Sequence, residues 1–133
     1  MTDLVFFYGT LMRGFERPGR ALIDPKLRPV GRGWIRAALF DLGIYPAAVP
    51  ASEDRVFGEV YEMTDQAAVL AALDGIEGYR PSEPDASLYT RVETPVTLDD
   101  GQVRTAWAYF YNAPLGRAQR IPSGDYREHL KVR

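Results

Sequence analysis

The stretch from Leu4 to Gly14, LVFFYGTLMRG, constrains this chain more than any other. Leu4 to Tyr8 is a run of large apolar and aromatic residues, short enough for a strand and too apolar to lie in water. It predicts a buried strand. Gly9-Thr10 ends that strand, because a β-former gives way to a residue that permits unusual dihedrals. Leu11-Met12 is expected to open a turn of helix. A strand that breaks at glycine and rises into helix leaves several backbone N–H groups without internal partners, aimed into one space. Such groups bind an anion without any Lys or Arg. The same residues also fit a core strand followed by a plain turn, and spacing alone leaves both readings standing.

Most of the rest of the chain reads as strand. Gly31 to Leu42 is apolar and aromatic with weak alternation, and Gly43 to Ala47 then turns. Ser52 to Arg55 reads as a polar connection. In Val56 to Met63, Val56, Gly58 and Val60 share one face and Phe57, Glu59 and Tyr61 the other. Leu88 to Leu98 and Gln102 to Tyr111 form a hairpin across Asp99-Asp100-Gly101, with Val103, Thr105, Trp107, Tyr109 and Tyr111 on one face. The clearest helix follows Thr64, a good N-cap. Asp65 suits its first turn, Ala67 to Leu73 favour helix, and Gly75 suits the position just past its end. Ser123 to Leu130 fits a short capped helix. Strands that outnumber helices, two of them in a hairpin, predict an α+β fold with a small mixed β-barrel or strongly curved sheet flanked by a few helices.

At 133 residues the chain is expected to form a single domain over 1–133 with a real core. Net charge is −2 from 16 basic and 18 acidic side chains, so no electrostatic footprint for nucleic acid stands out. There is no cysteine, which removes disulfides, thiolate metal sites and cysteine nucleophiles and is compatible with a cytoplasmic location. A single histidine, His129, rules out a multi-histidine metal site and leaves no plausible nucleophilic triad. No apolar run is long enough to span a membrane, and Asp3 stands where a signal peptide would carry a positive charge. Gly9 and Gly14 are not followed by Lys-Ser or Lys-Thr, so a P-loop fails as well.

Some side chains could carry chemistry. Arg13, Arg17 and Arg20 would suit a phosphate or carboxylate, or simply a solvated face. Glu77, just past the expected helix end, meets partial negative charge from the helix dipole. In a dry site, desolvation would raise its pKa in the same direction and leave a carboxyl able to shuttle protons near neutral pH. As a surface glutamate between glycines it would do nothing of the kind. Asp74 is expected to serve the end of its helix, Asp99 and Asp100 the hairpin turn, and Glu59 a strand face.

Several segments match one family in order, from Leu4 to about Leu130. They are Tyr8-Gly9-Thr10-Leu11 after the first strand, Gly43-Ile44-Tyr45-Pro46, Leu73-Asp74-Gly75-Ile76-Glu77-Gly78, the tyrosines at 89 and 109, and Ser123-Gly124-Asp125. The chain thereby resembles the gamma-glutamylcyclotransferase-like family (the AIG2-like, YtfP-like group). The resemblance implies a small β-barrel flanked by helices, no cofactor and no metal, and a small-molecule γ-glutamyl substrate. It also implies that Glu77 is the catalytic acid/base. Tyr8, Gly9, Thr10 and Leu11 would bind substrate, their N–H groups meeting its α-carboxylate and oxyanion. Tyr45, Tyr89 and Tyr109 would line the pocket. The implied reaction is intramolecular aminolysis: the substrate's α-amine attacks its own γ-carbonyl, closing 5-oxoproline and expelling an amine. A non-catalytic carboxylate-binding domain of the same fold is the alternative. The resemblance leaves the leaving amine and the oligomeric state open, and gives Ser123-Gly124-Asp125 no role.

Overall fold

The computed structural model describes residues 2–15 and 17–131. Its frame is a five-stranded mixed barrel. β1 (Leu4–Phe7), β2 (Leu27–Asp41), β3 (Pro46–Met63), β4 (Tyr89–Leu98) and β5 (Val103–Tyr111) run in the order β3-β1-β5-β4-β2, and β2 pairs back onto β3 to close the ring. β1 and β5 are parallel and the other pairings antiparallel. A two-residue strand, β6 (Gln119–Arg120), pairs with the end of β2.

β1 explains why the ring closes where it does. Leu4, Val5, Phe6 and Phe7 are all buried, at 4%, 0%, 1% and 3% exposure, so the strand must be covered on both faces. β3 and β5 flank it in the sheet, and α2 (Gln66–Glu77) contributes Val69, Leu70 and Leu73 to the same apolar cluster. Curvature comes from register breaks in β2 and β3. Val30 is bulged between the pairs Pro29–Tyr61 and Gly31–Val60, and residues 51–54 loop out between Arg36–Arg55 and Ala37–Pro50.

Several sequence expectations shift here. Pro46 opens a strand instead of belonging to a turn. The expected connection at Ser52 to Arg55 is an excursion inside the 18-residue β3, of which Val56 to Met63 is only the second half. In β5 the deeply buried alternation is Ala106, Ala108 and Phe110, while Val103 on the opposite face is 64% exposed. Tyr109, on Val103's face, is nonetheless buried, because α2 reaches across to it. Leu11-Met12 does not start a helix. Met12 N–H donates to Gly9 O at 3.0 Å and Phe15 N–H to Met12 O at 3.3 Å, which makes two successive turns. The first helix, α1 (Arg20–Ile23), begins only at Arg20.

α2 is one residue late at its start and several late at its end. Its N-cap is Asp65, whose carboxylate accepts from Ala68 N–H at 3.2 Å, and not Thr64. It runs through Gly75 and stops at Glu77, capped by Gly78 at φ 66°, the left-handed conformation that glycine adopts without strain. Ser123-Gly124-Asp125 docks α3 (Tyr126–Lys131) on the barrel. Gly124 O accepts from Phe57 N–H at 2.8 Å, and a Cβ at Gly124 would sit 1.8 Å from Arg55 O, so only glycine allows that approach. Asp125 Oδ1 then accepts from Glu128 N–H at 3.2 Å in the first turn of α3.

Candidate active site

The turn after β1, the loop before β3, the last turn of α2 and the strands β4 and β5 meet around one pocket of about 390 Å³, its open mouth included. Glu77, Tyr8, Gly9, Thr10, Leu11, Tyr45, Tyr89 and Tyr109 all line it. Every residue that the resemblance assigned to the site therefore reaches the same cavity, whereas Arg13 and Arg20 do not line it. Phe6, Phe7, Pro46 and Arg17 complete the wall.

Loop 9–11 lacks the helix that was to make it an anion cradle, yet it keeps its donors. Among the described residues the N–H groups of Gly9, Thr10 and Leu11 make no hydrogen bond, while Met12 and Arg13 N–H are taken by Gly9 O and Glu59 Oε1. The turn is braced from behind. Arg20 Nε donates to Leu11 O at 3.1 Å, and Glu59 also accepts from Tyr61 O–H at 2.8 Å and from Arg127 at 2.9 Å. Glu59 is thus more than a strand face. Consecutive unpaired amides on a braced turn form a concavity suited to a carboxylate.

Three of the four pocket tyrosines act as frame through their hydroxyls. Tyr8 O–H donates to Tyr109 O at 2.7 Å and accepts from Ala48 N–H at 3.3 Å. Tyr89 O–H donates to Pro46 O at 3.0 Å, and Tyr109 O–H to Asp74 Oδ1 at 2.6 Å. Burial pushes all three phenols well above the ordinary tyrosine value, so they stay protonated and keep these bonds. Tyr45 packs edge-on against Tyr89, with ring centroids 6.3 Å apart.

Glu77 is half-buried at the last helical position of α2. Burial pushes its carboxyl up to about 7, against the opposing pull of the Arg17 charge. The helix C-terminus adds partial negative charge that also disfavours ionisation. Its carboxyl makes no hydrogen bond among the described residues, so both oxygens are available to a bound molecule. A carboxyl poised near neutrality in a pocket is suited to moving protons in both directions.

Asp74 does something other than serve its helix end. Its side chain accepts Tyr109 O–H and pairs with Arg91 at 2.8 and 3.1 Å, tying α2 to β4 and β5. Arg17 is the pocket residue that sequence reasoning left among three undistinguished arginines. Its Nη1 donates to Thr10 Oγ1 at 2.6 Å, and its guanidinium lies 5.7 Å from the Tyr45 ring centroid. Nothing in the local sequence separates it from Arg13 and Arg20. Among the described residues no group of three or more His, Asp or Glu is placed to hold a metal ion, and no helix is long and apolar enough to cross a membrane.

A family model described as gamma-glutamyl cyclotransferase, AIG2-like, matches residues 5–128. The chain belongs to that family. A Methanocaldococcus jannaschii relative, MJ1514, whose cyclotransferase name is provisional, is 31% identical over 128 residues, 96% of this chain and 98% of the relative. The cyclotransferase family protein YtfP of Escherichia coli K12 is 36% identical over 93 residues, 70% of each chain. Among solved structures, YkqA of Bacillus subtilis superposes with a TM-score of 0.73 at 26% identity over 99% of this chain, which spans 42% of YkqA. A mouse AIG2-like protein superposes with a TM-score of 0.69 at 23% identity, over 93% of this chain and 87% of that one. The mixed barrel with few helices is thus the AIG2-like cyclotransferase fold, and a small-molecule ligand is what the family implies for its pocket.

Proposed function

We propose that this chain is a cyclotransferase that releases an amine from a γ-glutamyl amide and closes the glutamyl group into 5-oxoproline. The observation that carries the reading is the meeting of Glu77 with the loop from Tyr8 to Leu11 on one pocket. The amides of residues 9–11 hold the substrate's α-carboxylate and set the direction of the glutamyl chain. Glu77 takes a proton from the α-ammonium. The freed nitrogen attacks the γ-carbonyl carbon, forming the ring C–N bond and a tetrahedral oxyanion. Glu77 gives its proton to the departing nitrogen as the γ-amide C–N bond breaks, then takes the second proton from the ring nitrogen and passes it to the released amine. Two protons thus move in turn from the α-nitrogen to the leaving nitrogen through Glu77, the lactam keeps one N–H, and water enters at no step.

Two physical advantages support this route. Attack within one molecule already carries a large effective concentration, so the protein has only to fold the glutamyl chain. A carboxyl near 7 both accepts from an ammonium and donates to a leaving amine, which is worth about 100- to 10,000-fold in rate. The fixed tyrosine hydroxyls hold the pocket's shape and take no part in proton transfer.

Screening γ-glutamyl amides for 5-oxoproline, with Glu77→Gln as the control, tests the reading. Release that disappears in the control supports it. Tight binding of such amides without release by the native chain would make this a carboxylate-binding member of the fold.

A further inference from the structure

Four arginines among the described residues are half-buried: Arg17, Arg20, Arg91 and Arg127. Three have a carboxylate partner, namely Arg20 with Asp24, Arg91 with Asp74 and Arg127 with Glu59. Arg17 has no carboxylate within ion-pairing distance among the described residues, and Glu77 feels its charge only across the pocket without a direct contact. It holds only a hydroxyl, Thr10 Oγ1, and reaches toward Ile76 O at 3.5 Å. A guanidinium carries five donors and loses hydration on burial, so a half-buried one with no directly bonded anion is incomplete.

Its position says where the missing anion belongs. Thr10 places one end of the guanidinium beside the amide loop, and Ile76, the residue before Glu77, places the other beside the acid/base. Its guanidinium carbon lies over the Tyr45 ring of the same pocket. The glutamyl carboxylate already has the amides of residues 9–11. A departing nitrogen must lie against Glu77 to receive its proton, and Arg17, which lines the same pocket and reaches toward the residue before Glu77, is the cation on hand for whatever that nitrogen carries.

We infer that Arg17 is a specificity residue for the leaving group, selecting γ-glutamyl amides whose amine carries a carboxylate close to the departing nitrogen. The inference rests on the cyclotransferase reading for the orientation of the substrate. A cationic diamine would set like charge against Arg17, and a neutral amine would leave it as incomplete as it is in the free protein. A carboxylate satisfies the fork in a paired geometry.

Binding separates this from the reaction itself. γ-Glutamyl-alanine and γ-glutamyl-alaninamide differ only in charge and one atom at the leaving end, and calorimetry on the Glu77→Gln protein measures both without turnover. The carboxylate compound is expected to bind about 10- to 100-fold more tightly, as for a hydrogen-bonded charge. In the Glu77→Gln, Arg17→Gln protein that ratio should fall to near one. Equal affinities in the first protein, or a preference that survives in the second, would overturn the assignment. So would a loss of the same size for both compounds, which would put Arg17 on the shared glutamyl end, and so would no binding of either. 5-Oxoproline release by the native protein is measured apart, so a failure of the reaction and a failure of the Arg17 assignment give different results.

Discussion

The hydroxyl of Tyr109 donates to Oδ1 of Asp74 at 2.6 Å, fastening the last turn of α2 to β5 three residues before Glu77. The carbonyl of the same tyrosine accepts from Tyr8, which opens the amide loop. One residue therefore joins the two halves of the pocket. Glu77 stands at a fixed place relative to residues 9–11 because both are tied to Tyr109, through its side chain and its backbone.

Tyr109→Phe is expected to cost about 1–2 kcal/mol, the worth of one hydrogen bond to a charged acceptor. Asp74→Ala should cost more, about 3 kcal/mol, because Arg91 is left at 17% side-chain exposure without its anion. Urea unfolding of both variants measures the difference. Equal losses would mean that the Arg91–Asp74 pair adds nothing to the clamp.

Glu77→Gln conserves volume at a carboxyl that makes no internal hydrogen bond, so its melting temperature at neutral pH should not fall below that of the native protein. Turnover of a γ-glutamyl amide should drop by about 100- to 10,000-fold while binding persists. Turnover at the native rate would remove Glu77 as the proton carrier.

The raised Glu77 carboxyl also gives a pH signature. Its folded value of about 7 lies above the ordinary 4.5, so the folded state holds the proton more tightly than the unfolded chain. Relative to Glu77→Gln, the native protein should lose stability as pH rises from about 4.5 to about 7, and the difference should level off above that. In the same picture kcat/KM should climb through an acidic limb near pH 7 as the carboxylate forms. Parallel stability curves for the two proteins across this range would show that Glu77 titrates as an ordinary exposed carboxyl.

Gly9→Ala tests the amide loop. A Cβ there would lie 2.8 Å from Pro46 Cγ and 3.0 Å from Cδ, so the proline ring or the loop must move within the pocket wall. Affinity for 5-oxoproline should weaken by about tenfold or more, consistent with losing one well-placed charge-assisted hydrogen bond. Unchanged binding in a calorimetric titration would separate the loop from the ligand.

Local chemistry in the sequence pointed to the elements that carry the site. The LVFF run had to be buried, the strand had to break at Gly9, and the helix that carries Glu77 had to end near a glycine, because each follows from residues within one or two turns of one another. Spacing left a plain turn open at Gly9, and the helix expected after it gave way to two turns. The same locality explains the errors at the edges. Asp65 and Thr64 are both good caps, Gly75 and Gly78 are both good stops, and short-range propensity does not choose between neighbours of equal quality. What only the tertiary structure decided were relations across the chain. The closure of β2 onto β3, the burial of Tyr109 beneath α2 and the capture of Asp74 by Arg91 each depend on residues far apart in sequence. Arg17 is the sharpest case. Beside Arg13 and Arg20 it carries the same charge in the same glycine- and proline-rich stretch, and only the approach of Thr10 from one side and the end of α2 from the other leaves it in the pocket as the half-buried arginine with no directly paired carboxylate among the described residues.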